Sequence, residues 1–208
     1  MNYARTSNNF PINVDFLPPD VIPFNGKIGM TYAPGKSHQG MHVLWDRSLY
    51  HDLDRLRYFY HTDVLVSLIE PHEFHKVQIP TLFPEAQARG METIWFPIPD
   101  LKVPTSMEGV INLVPQILDR AKAGKTVVVH CMGGFGRTGT IVSCCLVTLG
   151  YTPENAIAIV RHTREYCVET TEQEEYVSLF SQAWKQSSID ILRKINEELE
   201  NTSCGKAR

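Results

Sequence analysis

An α/β fold, with a central and mostly parallel sheet flanked by helices, is predicted by three observations. Short β-branched apolar runs alternate along the chain with segments of helical spacing. One such run, Lys125-Thr126-Val127-Val128-Val129, is apolar on both faces, as a strand inside a parallel sheet must be. It passes through a glycine-rich turn straight into Thr140-Ile141-Val142-Ser143-Cys144-Cys145-Leu146-Val147, which reads as a helix packed in a core. At 208 residues with 43% hydrophobic content, and with no internal repeat or low-complexity segment, one globular core accounts for the chain.

The elements follow in order. Met1 to Pro23 is rich in Asn and Pro and is expected to pack as an extended arm. Gly26 to Tyr32 reads as a strand that ends in the turn Ala33-Pro34-Gly35. Ser48 to His61 has helical spacing, with Leu49, Leu53, Leu56 and Phe59/Tyr60 on one face. Asp63 to Ile69 is a buried strand, Pro71 to Arg89 two short helices around Pro80 and Pro84, and Gly90 a stop. Thr93 to Phe96 is a strand running into the loop Pro97-Ile98-Pro99-Asp100. Thr105-Ser106-Met107-Glu108 has capping-box spacing, which predicts a helix from Thr105 to Ala123, stopped by Gly124 and kinked at Pro115. Thr152-Pro153-Glu154 opens another helix. Thr171-x-x-Glu174 is expected to cap a last one through Trp184, leaving a polar tail after Gln186 with Ile189, Leu192, Ile195 and Leu199 at helical spacing.

Bulk properties narrow the function. A formal charge of −3, with no long basic run, excludes nucleic-acid binding by bulk charge. No signal peptide and no bilayer-spanning run are read, so no membrane association is expected. The five cysteines, Cys131, Cys144, Cys145, Cys167 and Cys204, lack Cys-x-x-Cys spacing, and neither a disulfide framework nor a zinc site follows. A reducing, cytoplasmic setting is expected. The histidines, His38, His42, His51, His61, His72, His75 and His162 among them, show no ligand spacing, so no metal or cofactor is expected.

The chemistry lies in His130-Cys131-Met132-Gly133-Gly134-Phe135-Gly136-Arg137-Thr138-Gly139. The turn joins a strand end to a helix N-terminus, where unpaired N–H groups and the helix dipole favour an anion. Gly133, Gly134 and Gly136 let successive amides converge on one point, so Met132 to Gly136 is the expected phosphate cradle. Arg137 offers a planar fork for two phosphate oxygens. Both the dipole and the guanidinium favour the thiolate form of a cysteine, which makes Cys131 the candidate nucleophile. Thr138 is placed to donate to the Cys131 sulfur, and His130 to face inward and order the turn.

His-Cys-x5-Arg-Thr-Gly resembles the signature of the cysteine-dependent tyrosine and dual-specificity phosphatases. The resemblance is closest to the cyclin-dependent-kinase-associated and Cdc14-like branch and covers about Lys27 to Trp184. It includes the Tyr32-Ala33-Pro34-Gly35 turn and the Glu70 to Gly90 segment. It implies a phosphatase-like catalytic domain over 27–185, with 1–26 as an arm and 186–208 as a polar helical tail. In that family an aspartate in a Pro-containing loop protonates the leaving group, and the carry-over falls on Asp100. Val168-Glu169-Thr170-Thr171-Glu172-Gln173 resembles the family's Glu-Thr-x-x-Gln segment, whose glutamine orients water; Gln173 is the candidate. Arg161 and Arg164 stand where the family often has paired arginines. Glu165-Tyr166-Cys167, however, departs from its usual Pro-Gly-Ala.

The resemblance implies metal-free hydrolysis of phosphoproteins, on phosphotyrosine and also on phosphoserine or phosphothreonine, through a phosphocysteine. Three alternatives stand beside it. A phosphoinositide phosphatase is disfavoured because Met132 to Gly136 contain no lysine. An RNA 5′-triphosphatase is disfavoured by the acidic balance and by Asp100, and a phosphate-binding pseudoenzyme by the intact Cys131, Arg137, Thr138 and Asp100. Cys144 and Cys145, one to two turns into the helix, are expected in the core rather than as redox partners of Cys131.

Overall fold

The computed structural model describes residues 4–40 and 43–204. Five strands form the main sheet in the order β1-β2-β7-β5-β6: β1 (Asp15–Phe16), β2 (Lys27–Tyr32), β7 (Thr126–Cys131), β5 (Val64–Ser67) and β6 (Glu92–Trp95). All neighbours are parallel except β1, which runs antiparallel to β2. A separate antiparallel hairpin, β3 (Ser37–Gln39) with β4 (Leu44–Asp46), follows the Gly35 turn and carried no sequence signal that we could read.

Helices flank the sheet. They are α1 (Leu49–Asp54), α2 (Pro71–Lys76), α3 (Leu82–Ala88), α4 (Met107–Lys122), α5 (Gly136–Thr148), α6 (Pro153–Thr163) and α7 (Thr171–Cys204). The β7 sequence TVVVHC is buried at every position, as its apolar run predicts. Burying each such Val or Leu contributes about 1.5–3 kcal/mol. Helix α5 is buried from Gly136 to Val147 and packs against α4, α6 and α7. Among the described residues no helix is long and apolar enough to cross a membrane.

Several local expectations are corrected. Ser106, not Thr105, caps α4: its hydroxyl accepts from Gly109 N at 2.9 Å. Thr170 rather than Thr171 caps α7, accepting from Gln173 N at 3.2 Å. In both places two adjacent hydroxyls satisfy the cap pattern, and spacing alone does not choose between them. Pro115 lies inside α4 without ending it. The helix expected over 48–61 changes after Asp54 to a π-helical turn, Arg55–Phe59. The last helix does not stop at Trp184 but runs on through the polar tail to Cys204. The arm is part of the core, since Ile12, Val14, Leu17 and Ile22 are buried and β1 completes the sheet edge.

The registers set up the site. Tyr32 pairs with Cys131, His130 with Ser67, and Ser67 with Trp95, so β2, β7, β5 and β6 end level with one another. In a parallel sheet the carboxyl edge is where ligands bind.

Candidate active site

Cys131 is the last residue of β7, is 3% exposed, and lines a cleft of about 620 Å³ with Arg137, Asp100, Phe135, Trp45 and Glu169. The turn after it is tight. Gly134 adopts φ +76, and a Cβ there would lie 2.3 Å from Thr31 O, so only glycine fits. Its N–H points at the Cys131 sulfur, 3.3 Å away. That contact corrects the expected Thr138 bond: the Thr138 hydroxyl is buried and makes no hydrogen bond. Helix α5 begins at Gly136, so Thr138 is already inside its first turn, and a backbone amide serves the sulfur instead.

His130 is fully buried, as expected, with Nδ1 3.1 Å from Cys131 O. Burial holds its imidazole down to about 4, against the pull of the Cys131 carbonyl. The ring is therefore neutral at physiological pH and fixes the loop without adding charge.

Arg137 is 2% exposed, and both of its terminal nitrogens are engaged. Its fork meets Glu73 at both oxygens, 2.6 and 3.0 Å, while Nη1 also donates to Ile98 O at 3.0 Å and Nη2 to Asp100 Oδ1 at 2.8 Å. Burial works against the Arg137 cation, but Glu73, Cys131 and Asp100 outweigh it and hold the group charged. Burial likewise pushes the Glu73 carboxyl up; the Arg137 fork and the Glu70 amide overcome this and hold it below its usual range. Glu73 is a site residue that sequence reading missed. Its signal was the box Glu70-Pro71-His72-Glu73, in which Glu73 Oε2 accepts from Glu70 N at 2.8 Å. Replacing Glu73 by Ala leaves a buried guanidinium short of its main partner, so Glu73→Ala is expected to cost about 3–5 kcal/mol. In thermal unfolding that lowers Tm by about 10 °C; a loss under about 1 kcal/mol would mean that Asp100 and Ile98 O suffice for Arg137.

Asp100 stands on a turn closed by Lys102 N to Pro99 O at 3.1 Å, with Leu101 at φ +58. The strand before the turn continues the sheet, Ile98 N bonding Leu68 O at 3.0 Å, and this carries Asp100 over the cysteine loop. Gln173 is buried: its Oε1 accepts from Glu169 N at 2.9 Å and its Nε2 donates to Lys102 O at 3.3 Å. A Cβ on Gly136 would lie 2.8 Å from the Gln173 amide, so this side chain touches both the acid turn and the cradle. Glu169 Oε2 accepts from Gly136 N at 2.7 Å, a contact not foreseen from its place in the motif.

The paired arginines divide their work. Arg161 holds the carbonyls of Cys167 and Val168 at 3.1 and 2.8 Å. Arg164 reaches the cysteine loop, at Gly134 O (2.8 Å) and Gly133 O (3.2 Å). Tyr166, in place of the family's glycine, keeps the left-handed backbone at φ +65. Cys144 and Cys145 are fully buried in α5, where burial pushes the Cys145 thiol up to about 12; they are core. His42 lies outside the described residues.

A strand–loop–helix carrying a buried cysteine and arginine at the carboxyl edge of a mostly parallel sheet is the architecture of the tyrosine and dual-specificity phosphatases. Residues 80–177 match the family described as Swiss Army Knife protein, DSP-PTPase phosphatase domain. The chain is similar to the dual-specificity and tyrosine phosphatases, the cyclin-dependent-kinase-associated branch among them. It is similar to cyclin-dependent kinase inhibitor 3 of Rattus norvegicus, 25% identical over 82% of this chain and 79% of that protein. Its fold is similar to crystal structures of kinase-associated phosphatase (TM-score 0.76, 22% identity, 84% of this chain and 96% of that one). It is also similar to PTPMT1 in complex with PI(5)P (TM-score 0.64, 19% identity, 77% and 94%).

Proposed function

We propose that the protein dephosphorylates phosphoproteins by a two-step displacement through a phosphocysteine. The observation that carries the reading is the contact of Arg137 with Asp100, which puts the candidate acid at the mouth of the cysteine loop. In the first step the Cys131 thiolate attacks phosphorus and the P–O bond to the substrate breaks. Arg137 and the amides of Met132 to Gly136 hold the other oxygens, and Asp100 gives its proton to the leaving oxygen. In the second, water oriented by Gln173 gives a proton to Asp100 and attacks phosphorus. The S–P bond breaks, releasing phosphate and the thiolate. No metal takes part in this scheme. His130 orders the turn.

The catalytic unit is residues 27–185, with 186–208 outside it. Substrates are phosphorylated protein side chains, phosphotyrosine and also phosphoserine or phosphothreonine. The similarity to cyclin-dependent kinase inhibitor 3 supports kinase-related phosphoproteins. A reducing compartment, the cytoplasm, suits a thiolate nucleophile. Against the lipid-phosphatase reading that the likeness to PTPMT1 suggests stands the cradle, which has no lysine to meet additional lipid phosphates.

Acid quenching during turnover of p-nitrophenyl phosphate, with EDTA and reductant present, tests the pathway. Mass spectrometry of the peptide containing Cys131 is expected to show one added phosphoryl group, carried on the Cys131 sulfur. A phosphoryl group on another residue, or turnover without any adduct, would overturn it.

A further inference from the structure

Each peptide unit is planar and trans, so its C=O and the N–H of the next residue point opposite ways. In a loop that binds an anion with its amides, whatever grips the carbonyls behind also aims the N–H groups in front. Three consecutive carbonyls of the cysteine loop are gripped by cations. Lys36 Nζ donates to Met132 O at 3.1 Å, and Arg164 holds Gly133 O and Gly134 O at 3.2 and 2.8 Å. The peptide whose carbonyl is Gly133 O carries the Gly134 N–H, and that N–H is the one aimed at the Cys131 sulfur.

Both cations are anchored from the start of the chain. Lys36 is 4% exposed and has no carboxylate partner among the described residues; it is boxed by the faces of Trp45 at 3.8 Å and Tyr32 at 4.7 Å. Trp45 in turn packs edge-on against Phe10 and under Arg5, whose backbone bonds Leu44 O at 2.8 Å and Asp46 N at 3.2 Å. Arg164 is held at its far end by Asp15 of β1, 2.5 Å away. The supports thus begin within residues 5–16, ahead of the catalytic unit as delimited above.

We infer that the N-terminal arm belongs to the phosphate-binding apparatus, bracing the 131–137 loop through two positioning cations, Lys36 and Arg164. The inference rests on the phosphate-handling reading of that loop. Lys36 adds a pH signature. Burial lowers its ammonium to about 7, opposed by Cys131 and reinforced by Arg47, Arg164 and Arg5. His38 and His130 also face it. His130 stays neutral above about pH 5, so above that range Lys36 is the member of the brace whose charge changes near neutrality.

Sulfate is the probe, being a dianion throughout and inert to the nucleophile. Its inhibition constant against p-nitrophenyl phosphate hydrolysis is measured for wild type, Lys36→Met, Lys36→Arg and Asp15→Asn, with the Tm of each. Lys36→Met and Asp15→Asn are expected to weaken sulfate about tenfold at pH 6, and Lys36→Arg to restore most of the loss. The ratio between Lys36→Met and wild type should shrink toward one by pH 9, where wild type has lost the same charge. If Lys36→Met proves unstable, Asp15→Asn, on an edge strand, decides. Sulfate constants that match wild type in both variants, or a Lys36→Met ratio that does not vary with pH, overturn the brace. A wild type that neither turns over nor binds sulfate overturns the phosphatase reading beneath it.

Discussion

Cys131→Ser is expected to lower kcat by about 10⁴-fold or more on any phosphomonoester. A serine hydroxyl in the same place is protonated at physiological pH, and is a far weaker nucleophile than a thiolate. The cradle itself should survive. Gly134 N, which points at the sulfur at 3.3 Å, can bond an oxygen instead, and Arg137 keeps its partners. Sulfate affinity is therefore expected to stay within about threefold of wild type, since the charge-assisted contacts to the anion remain. Steady-state kinetics with inhibition by sulfate measures both. Residual turnover above about one part in a hundred would point to a different nucleophile or to direct attack by water.

Asp100→Asn is expected to act selectively on poor leaving groups. An asparagine keeps the turn and the contact with Arg137 but has no proton to give. A phosphotyrosine peptide, whose phenol leaves badly, should lose about 10²–10³ in kcat, within the usual range of general acid catalysis. An activated aryl phosphate such as p-nitrophenyl phosphate, which leaves without help, should lose only about tenfold. Plotting kcat against leaving-group pKa for the two proteins measures this as a steeper slope in the variant. Parallel lines would remove Asp100 from the role of acid and leave it as a partner of Arg137.

Much of the site was legible because its chemistry is local in sequence. The run Val127–Val129, the glycines at 133, 134 and 136 and the Cys131-to-Arg137 spacing all fall within one strand–loop–helix, where pattern and geometry coincide. Asp100 and Gln173 came through likeness to a family, and both lie against the loop in space. What was missed is non-local. Glu73 meets Arg137 across 64 positions, and Lys36 meets Met132 across 96, and no periodicity announces either. The arm misled for a different reason. Asn and Pro suppress strand propensity, yet Ile12, Val14 and Leu17 are buried in the core and β1 pairs with Gly29 and Met30. The extra length of α7 shows propensity surviving where amphipathic signal fades, since Gln186 to Cys204 contains neither proline nor glycine.

The Glu169 contact with Gly136 N, together with the hold of Asp100 on Arg137, has a consequence for how charge is exchanged at the cleft. Donors that are bare at an anion site normally recruit ions from solution, and binding then expels them, which ties affinity to ionic strength. Here the protein supplies its own counter-ions, tethered to the acid turn and to the segment before α7. On the function proposed above, an arriving phosphate trades places with carboxylates that cannot diffuse away and return to their posts when the product leaves. The resting cleft is in this sense an internal salt, and substrate entry is a replacement reaction rather than the capture of a free charge.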